Sequence, residues 1–205
     1  MSNVIVLMHL TLDGVMQAPG RPDEDRRGGF AHGGWARPRG DSVVEAFGGI
    51  AEVGGLLFGR RTYEDFFSFW PNQTDNPFTA ALNTSQKYVA STTLEEPLPW
   101  INSTLLKGDA ADAVVRLKQQ LDKDLLIMGS GELIQSLMRR NLVDEYVLLI
   151  HPLVLGTGRR LFAEGSPATE LQLVDTKTTP TGVVIATYRA TEPTAPAATS
   201  RRNTR

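Results

Sequence analysis

The segment Asp124–Ile134 constrains the fold most strongly, because it changes secondary structure within a few residues. Its apolar run Leu125–Met128 is too short for a helix and is ended by a glycine, so it predicts a buried strand. Helical spacing follows at once in the apolar residues Leu133, Ile134, Leu137 and Met138. The chain is therefore predicted to pass from a strand through Gly129-Ser130-Gly131 directly into a helix.

The Gly129-Ser130-Gly131 turn has the features of an anion-binding site. A helix start offers backbone N–H groups that lack intrahelical partners, together with the positive end of the helix dipole. Glycines let ligand oxygens approach the main chain closely, and phosphate is the ligand that such a turn suits. The alternative is a tight turn that binds nothing, and this segment alone leaves both interpretations open.

Composition indicates an ordinary globular chain and excludes several classes of function. The 205 residues are 41% hydrophobic and 21% charged, which predicts one domain with a sizeable core. A net charge of −2 argues against a nucleic-acid partner. The sequence has no cysteine, which excludes disulfides, thiolate nucleophiles and thiolate metal sites, and its three histidines show no metal-ligand spacing.

The first apolar run, Val4–Leu10, predicts a strand in the middle of a sheet. It is too short to span a membrane and lacks the layout of a signal peptide. We therefore expect a cytoplasmic protein with no membrane partner.

Strands and helices alternate over the first three quarters of the chain. Further strands are predicted at residues 55–58, 87–90, 103–106 and 125–128, and helices at about 42–52, from Thr62, at 78–84, after the cap Asp109, and after Gly131. Such alternation predicts an α/β fold whose mainly parallel central sheet is covered by helices on both faces.

The final quarter of the chain follows a different pattern. Strands are predicted at Tyr146–Leu155, which Pro152 interrupts, and at residues 171–178 and 183–188. The last two flank Pro180-Thr181-Gly182 and predict an antiparallel hairpin at one edge of the sheet. Residues 1–190 are thus predicted to form one domain, and residues 191–205 a disordered tail with little to bury.

A second strand-to-helix turn, Gly59-Arg60-Arg61-Thr62, also suits an anion. Two arginines at the positive end of a helix are unfavourable unless a negative charge lies nearby. Glu64 and Asp65 are candidates for that charge. A bound phosphate explains the arginine pair better, and we favour it.

Four turns carry ligand-suited residues at the carboxyl ends of predicted strands, where parallel sheets bind ligands. They are Leu12-Asp13-Gly14, Gly59–Thr62, Ser91-Thr92 and Gly129–Gly131. Neither standard nucleotide motif is present among them. Ile134 occupies the place of the third glycine in the dinucleotide fingerprint, and Gly59–Thr62 lacks the Lys-Ser/Thr pair of a P-loop.

Together these residues resemble the dihydrofolate-reductase-like superfamily. Within it, the sequence is most similar to the reductase domain of the bifunctional riboflavin-biosynthesis deaminase–reductase and its stand-alone relatives. The resemblance covers residues 1 to about 190 and implies a three-layer sandwich. The segments that carry it are Thr11–Gly14, Gly59–Glu64, Ile127–Leu133, Leu142–Glu145 and Pro152–Gly156.

The resemblance implies NADPH binding across the two helix starts. Phosphate groups would be taken by Arg60, Arg61 and Thr62, the adenosine end would lie near Ser91 and Thr92, and the pyrophosphate would lie at Gly129–Leu133. The implied cofactor-binding residues are Gly59, Arg60, Arg61, Thr62, Ser91, Thr92, Gly129, Ser130, Gly131, Glu132 and Leu133. Independently, an arginine pair suits an extra phosphate and favours NADP over NAD.

The implied reaction is hydride transfer from the nicotinamide to a C=O or C=N carbon of a small heterocyclic or carbonyl substrate. It resembles that of 5-amino-6-(5-phosphoribosylamino)uracil reductase of riboflavin biosynthesis. That enzyme usually accompanies a deaminase domain with a His and Cys zinc signature, and this sequence has no cysteine. The substrate is therefore not assigned. The resemblance also implies a homodimer.

Three residues are candidates for the chemistry beside the cofactor. Asp13 ends the first strand, where ligands gather, and is the candidate polar catalytic group, although an Asp-Gly turn former has the same sequence. In the loop over residues 17–40, His32 is a candidate for proton exchange, as histidine side chains commonly are, and Trp35 can stack on a planar substrate. Alternatively, these two rings pack the loop onto the domain.

Three other functions remain open at this stage. One is a non-catalytic NADPH-binding or sensing protein, and another is a structural subunit of a dimer. The third is a dihydrofolate or pterin reductase, but neither Asp41 nor Glu45 aligns with the acidic residue of folate reductases.

Overall fold

The computed structural model describes residues 1–40, 52–73 and 76–191. Its strands are β1 (Val4–Thr11), β2 (Gly55–Gly59), β3 (Lys87–Ala90), β4 (Ser103–Leu106), β5 (Leu125–Met128), β6 (Glu145–His151), β7 (Leu171–Thr178) and β8 (Val184–Ala190). Its helices are α1 (Arg60–Phe69), α2 (Pro77–Thr84), α3 (Ala110–Gln120) and α4 (Gly131–Met138).

The eight strands form one sheet in the order β4-β3-β2-β5-β1-β6-β8-β7. Wherever two of the strands β1 to β6 are neighbours in the sheet, they run parallel. Strand β8 runs antiparallel to both β6 and β7. The predicted mainly parallel sheet with an antiparallel hairpin at its edge is confirmed.

Among the parallel strands, the direction in which the chain adds strands reverses once, and this reversal places helices on both faces. The chain moves outward from β2 to β3 and β4, then returns to place β5 between β2 and β1. Because such crossovers are right-handed, the helices of the outward and return paths cover opposite faces. Accordingly, α1 and α2 pack in one apolar cluster, and α3 and α4 pack in the other.

Strands β2 and β5 mark the switch point of this topology. They are neighbours, yet the helices that follow them, α1 and α4, begin on opposite faces of the sheet. Such a switch point opens a crevice at the carboxyl ends of the strands, which is where open α/β sheets bind ligands.

Local capping and breaking signals explain most element boundaries. The Asp109 carboxylate accepts a hydrogen bond from the Asp112 N–H at 2.9 Å, so α3 begins after the predicted cap. The prediction of one strand over Tyr146–Leu155 is wrong at its end, because β6 stops at His151. This strand has neighbours on both sides, and Pro152 has no N–H to donate to either.

Several expectations concern residues at the limits of the structure. Asp41, Glu45 and all but the last residue of the predicted helix at 42–52 lie outside the described residues, as does the tail after residue 191. No helix among the described residues is long and apolar enough to cross a membrane. Strand β7 lies at one edge of the sheet and most of its residues are exposed. The homodimer remains a prediction.

Two histidines meet inside the sheet near the ends of β1 and β6. His9 Nδ1 lies 2.8 Å from His151 Nε2, and His151 is fully buried. Burial, together with the neighbouring His151, lowers the pKa of His9 to about 3. This contact gives both histidines a packing role within the sheet.

The lowered pKa of His9 predicts that acid destabilises the fold. Between the folded pKa of about 3 and the ordinary histidine pKa of 6.5, unfolding takes up a proton, so the free energy of unfolding falls as the pH drops through this range. We expect a loss of about 2 kcal/mol from this group near pH 5. Urea unfolding of the wild type and His9→Gln at neutral and acid pH measures it. Equal pH dependence of both proteins would contradict this assignment.

Candidate functional site

Two hydrogen bonds join the turns that begin α1 and α4. The Gly59 N–H donates to Ser130 Oγ at 2.9 Å, and the Ser130 N–H donates to Thr62 Oγ1 at 2.9 Å. The end of β2 and the end of β5 are thereby held together as one unit. This brings together the two glycine-containing turns that the sequence predicts to be phosphate sites.

The close approach of these turns requires glycine at position 129. The backbone of Gly129 is left-handed, with φ +61°. A Cβ atom there would lie 2.9 Å from Thr62 Cγ2 and 3.1 Å from Thr62 Oγ1. Any side chain would therefore push α1 away from the turn.

Both helix starts lack a side-chain cap. Gly59 precedes α1 and has no side chain, and Ser130 precedes α4 without making a cap hydrogen bond. The first N–H groups of any α-helix have no intrahelical partner, and in α1 and α4 no side-chain cap takes that place. The first turn of α1 contains no acidic residue and opens with Arg60 and Arg61. Two positive helix ends therefore meet at the crevice.

Arg60 is directed toward the carboxyl end of β3. Its Nε donates to Glu64 at 2.9 Å, and its Nη1 donates to Thr93 Oγ1 at 2.7 Å. The Ser91 hydroxyl organises this turn by accepting the N–H groups of Thr93 and Leu94. The predicted residue Thr92 is exposed in the same turn. The direct contact is made by Thr93, which sequence reasoning missed.

Glu132, in the first turn of α4, forms ion pairs with three arginines. Its Oε1 accepts from Nη1 of Arg61 at 3.0 Å, of Arg159 at 2.9 Å and of Arg27 at 3.2 Å. We call Arg27, Arg61 and Arg159 the arginine cluster. Its members come from the loop after β1, from α1 and from the loop after β6. Leu133 follows with its side chain buried, so only its backbone faces a ligand.

A cavity of about 320 Å³ lies beside the arginine cluster. Its lining includes Met16, Arg27, Gly131, Glu132, Arg159 and Arg160. The Met16 thioether lies on Gly131, where a Cβ atom would fall 1.8 Å from the Met16 methyl carbon. A flexible, apolar side chain thus covers the start of α4.

Asp13 anchors the loop that follows β6. Its carboxylate accepts hydrogen bonds from the Thr11 hydroxyl at 2.6 Å and from the Gly156 N–H at 2.8 Å. The Thr11 hydrogen bond, and then those of Gly156 and Leu155, lower the pKa of Asp13 to about 2. Asp13 is therefore ionised at neutral pH and cannot donate a proton. A polar contact from Asp13 to a substrate stays a prediction.

The two ring residues of loop 17–40 have separate environments. Trp35 is buried, its indole N–H donates to the Gln17 carbonyl at 2.7 Å, and its ring meets His151 edge-on. His32 is exposed and packs edge-on against Phe30. The structure therefore gives Trp35 the role of packing the loop onto the domain. Substrate contacts of His32 and Trp35 stay predictions.

Comparison with known proteins places this architecture in a family. A sequence model of the RibD C-terminal domain matches residues 2–185, which is most of the chain. The chain belongs to the RibD C-terminal domain family. The predicted membership of this reductase branch of the dihydrofolate-reductase-like superfamily is confirmed, and the family is one of reductases of the riboflavin-pathway type.

Individual relatives are similar to this chain in sequence or in fold. The uncharacterized Bacillus subtilis protein YyaP is 30% identical over 146 residues, 68% of this chain and 75% of that protein. A Shewanella sp. PV-4 protein, provisionally assigned to riboflavin biosynthesis, matches with TM-score 0.66 and 24% identity, covering 93% and 99% of the two chains. Acinetobacter baumannii RibD matches with TM-score 0.56 and 14% identity over 93% of this chain. This chain spans 58% of that one.

Sequence reasoning missed several residues of the site in this RibD C-terminal domain protein. They are Arg27, Thr93, Arg159 and Arg160. One signal was available, because Gly59-Arg60-Arg61 recurs as Gly158-Arg159-Arg160. Both copies follow strands that end at the same edge of the sheet.

The close approach at Gly129 predicts a specific loss of stability. Gly129→Ala combines a left-handed backbone with a collision against Thr62, so we expect the free energy of unfolding to fall by about 3 kcal/mol. Gly108→Ala is the matched control, because Gly108 has φ +84° but open space around it, and should cost about 1 kcal/mol. Urea unfolding compares them. Equal losses would mean that the contact with Thr62 is unimportant.

The Asp13 anchor predicts a stability contribution that acid removes. Asp13→Asn replaces one acceptor oxygen by an amide group facing an N–H, and should lower the free energy of unfolding by about 1 kcal/mol at pH 7. Because the folded pKa of about 2 lies below the ordinary aspartate pKa of 3.8, this difference in the free energy of unfolding should shrink as the pH falls from about 4 toward 2. Urea unfolding of the wild type and Asp13→Asn at pH 7 and near pH 2 measures this difference. Asp122→Asn, at an exposed position, should change nothing.

Proposed function

We propose that this protein is an NADPH-dependent reductase that transfers hydride to a C=O or C=N carbon of a small heterocyclic or carbonyl substrate. The observation that carries the proposal is the pair of uncapped helix starts, joined through Ser130 and Thr62 and flanked by Arg60 and Arg61. Membership in a reductase family of riboflavin-pathway type supports the same conclusion. When bound, the nicotinamide would supply the hydride.

The donor set fits a phosphorylated dinucleotide. Unpaired N–H groups at two helix starts suit a diphosphate bridge, and Gly59 and Gly129 keep side chains away from it. Two guanidinium groups add charge-assisted donors for phosphate oxygens. The residues present therefore fit NADPH, with the diphosphate at Gly129–Leu133.

Under the proposal, Arg60 and Arg61 of α1 bind different phosphate groups of the coenzyme. Arg60 points to Thr93 at the end of β3, on the side expected for the adenosine. We assign it to the ribose 2′-phosphate, with Ser91 and Thr92 nearby. Arg61 points to Glu132 at the start of α4, and we assign it to the diphosphate. Under this assignment, Arg60 alone distinguishes NADPH from NADH.

This division of roles predicts different effects of two neighbouring substitutions. Arg60→Gln should weaken NADPH binding about tenfold and leave NADH binding unchanged, because only NADPH has the 2′-phosphate. Arg61→Gln should weaken both coenzymes by similar factors. Fluorescence titration of each variant with each coenzyme measures this. Arg116→Gln, on the exposed face of α3, is the control for a lost positive charge. If Arg60→Gln binds NADPH like the wild type, the assignment is wrong.

Catalysis is tested by the oxidation of NADPH in the presence of candidate substrates. The wild-type protein is incubated with NADPH and a panel of pterins, ribosylamino-pyrimidines and quinones, and the absorbance of the reduced coenzyme is followed. A reductase consumes NADPH only when its substrate is present. Tight NADPH binding without consumption across the panel would instead support a sensing protein.

A further inference from the structure

We infer that Arg27 and Arg159 complete, with Arg61, a subsite for a phosphate-type oxyanion, and that Glu132 occupies this subsite as an internal placeholder. The inference rests on the proposed function in so far as the oxyanion is the coenzyme's diphosphate. It adds Arg27 and Arg159 to the residues that would bind the coenzyme. It also means that Glu132 does not bind the ligand directly. Glu132 would compete with the ligand for the same guanidinium groups.

The geometry around Glu132 is that of an anion surrounded by donors. One oxygen atom, Oε1, accepts from all three guanidinium groups at 2.9–3.2 Å. In the described part of the chain, Glu132 is the sole carboxylate paired with Arg61 and with Arg159, while Asp25 also pairs with Arg27. One positive charge thus remains in excess, beside the positive end of α4.

Two members of the arginine cluster are held in place by hydrogen bonds from one buried side chain. Gln17 is 4% exposed and belongs to the core of loop 17–40. Its amide nitrogen donates to the carbonyls of Asp25 and Arg27 at 3.2 and 3.0 Å. Its amide oxygen accepts from the Arg159 N–H at 3.0 Å. The two loops that contribute Arg27 and Arg159 are therefore fixed to each other before any ligand arrives.

Glu132 is easily displaced from this arrangement. Its side chain is 64% exposed, and ion pairs in contact with water contribute little to stability. A phosphate group has more acceptor oxygens and a larger charge than a carboxylate, and it pairs with guanidinium groups in bidentate fashion. The cavity of about 320 Å³ that Gly131, Arg27, Arg159 and Glu132 itself help to line provides space beside the arginine cluster.

The direct test is calorimetric titration with inorganic pyrophosphate, followed by NADPH. Arg27→Gln and Arg159→Gln should each weaken pyrophosphate binding about fivefold, as expected for one partly exposed charge pair. Glu132→Gln should tighten it by about the same factor, because the competing charge is removed. Arg26→Gln, at the exposed neighbour of Arg27, and Glu170→Gln, at an exposed acid, should leave binding unchanged.

Several results would overturn the inference. Weaker or unchanged pyrophosphate binding in Glu132→Gln would show that Glu132 is no competitor. Wild-type affinity in both arginine variants would show that they lie outside the subsite. Thermal unfolding of each variant, monitored by circular dichroism, ensures that only folded proteins are compared.

The same titrations separate this inference from the proposed function. If pyrophosphate binding follows the expected order but NADPH does not bind, the subsite stands and the proposed function fails. If NADPH binds and is consumed with substrate while all three variants bind both ligands like the wild type, the proposed function stands and the inference fails.

Discussion

The hydrogen bonds that join the β2–α1 turn to the β5–α4 turn organise the rest of the structure. One of them uses the Ser130 hydroxyl, which stands at the N-cap position of α4 and would otherwise be available to cap that helix. The N-cap position of α1 is Gly59, which has no side chain, so neither helix start has a side-chain cap. The contacts that join the two turns at the centre of the sheet therefore also bring together the N–H donors on which the proposed phosphate site depends.

Most of the fold could be predicted because its signals are local. The run Leu125–Met128 and the apolar spacing after Gly131 lie within one short segment, and Asp109 caps α3 through its own neighbour Asp112. Parallel pairing follows from the alternation of elements. The end of β6 was misjudged because apolar residues continue past Pro152, and the missing N–H outweighs that hydrophobic pattern in a strand with two neighbours.

The candidate site was only partly predictable, because half of it is assembled from distant loops. Arg61 and Glu132 stand in turns that the sequence marks clearly. Arg27 and Arg159 stand in loops without periodicity, and their meeting depends on Gln17, which looks like an ordinary polar loop residue in the sequence. Asp13 was noticed for its position at a strand end. Besides the local Thr11 hydroxyl, its partners are Leu155 and Gly156, which are more than 140 residues away along the chain.

The side-chain charges at the two helix starts are opposite in sign, and they pair with each other across the crevice. Glu132 lies at the positive end of α4, where a carboxylate is favourable, whereas Arg60 and Arg61 lie at the positive end of α1, where cations are unfavourable. The Arg61–Glu132 ion pair across the crevice compensates part of this repulsion. A bound phosphate would compensate more of it, since it would face both helix ends at once. Under the proposed function, ligand binding and fold stability would be linked through the same guanidinium groups.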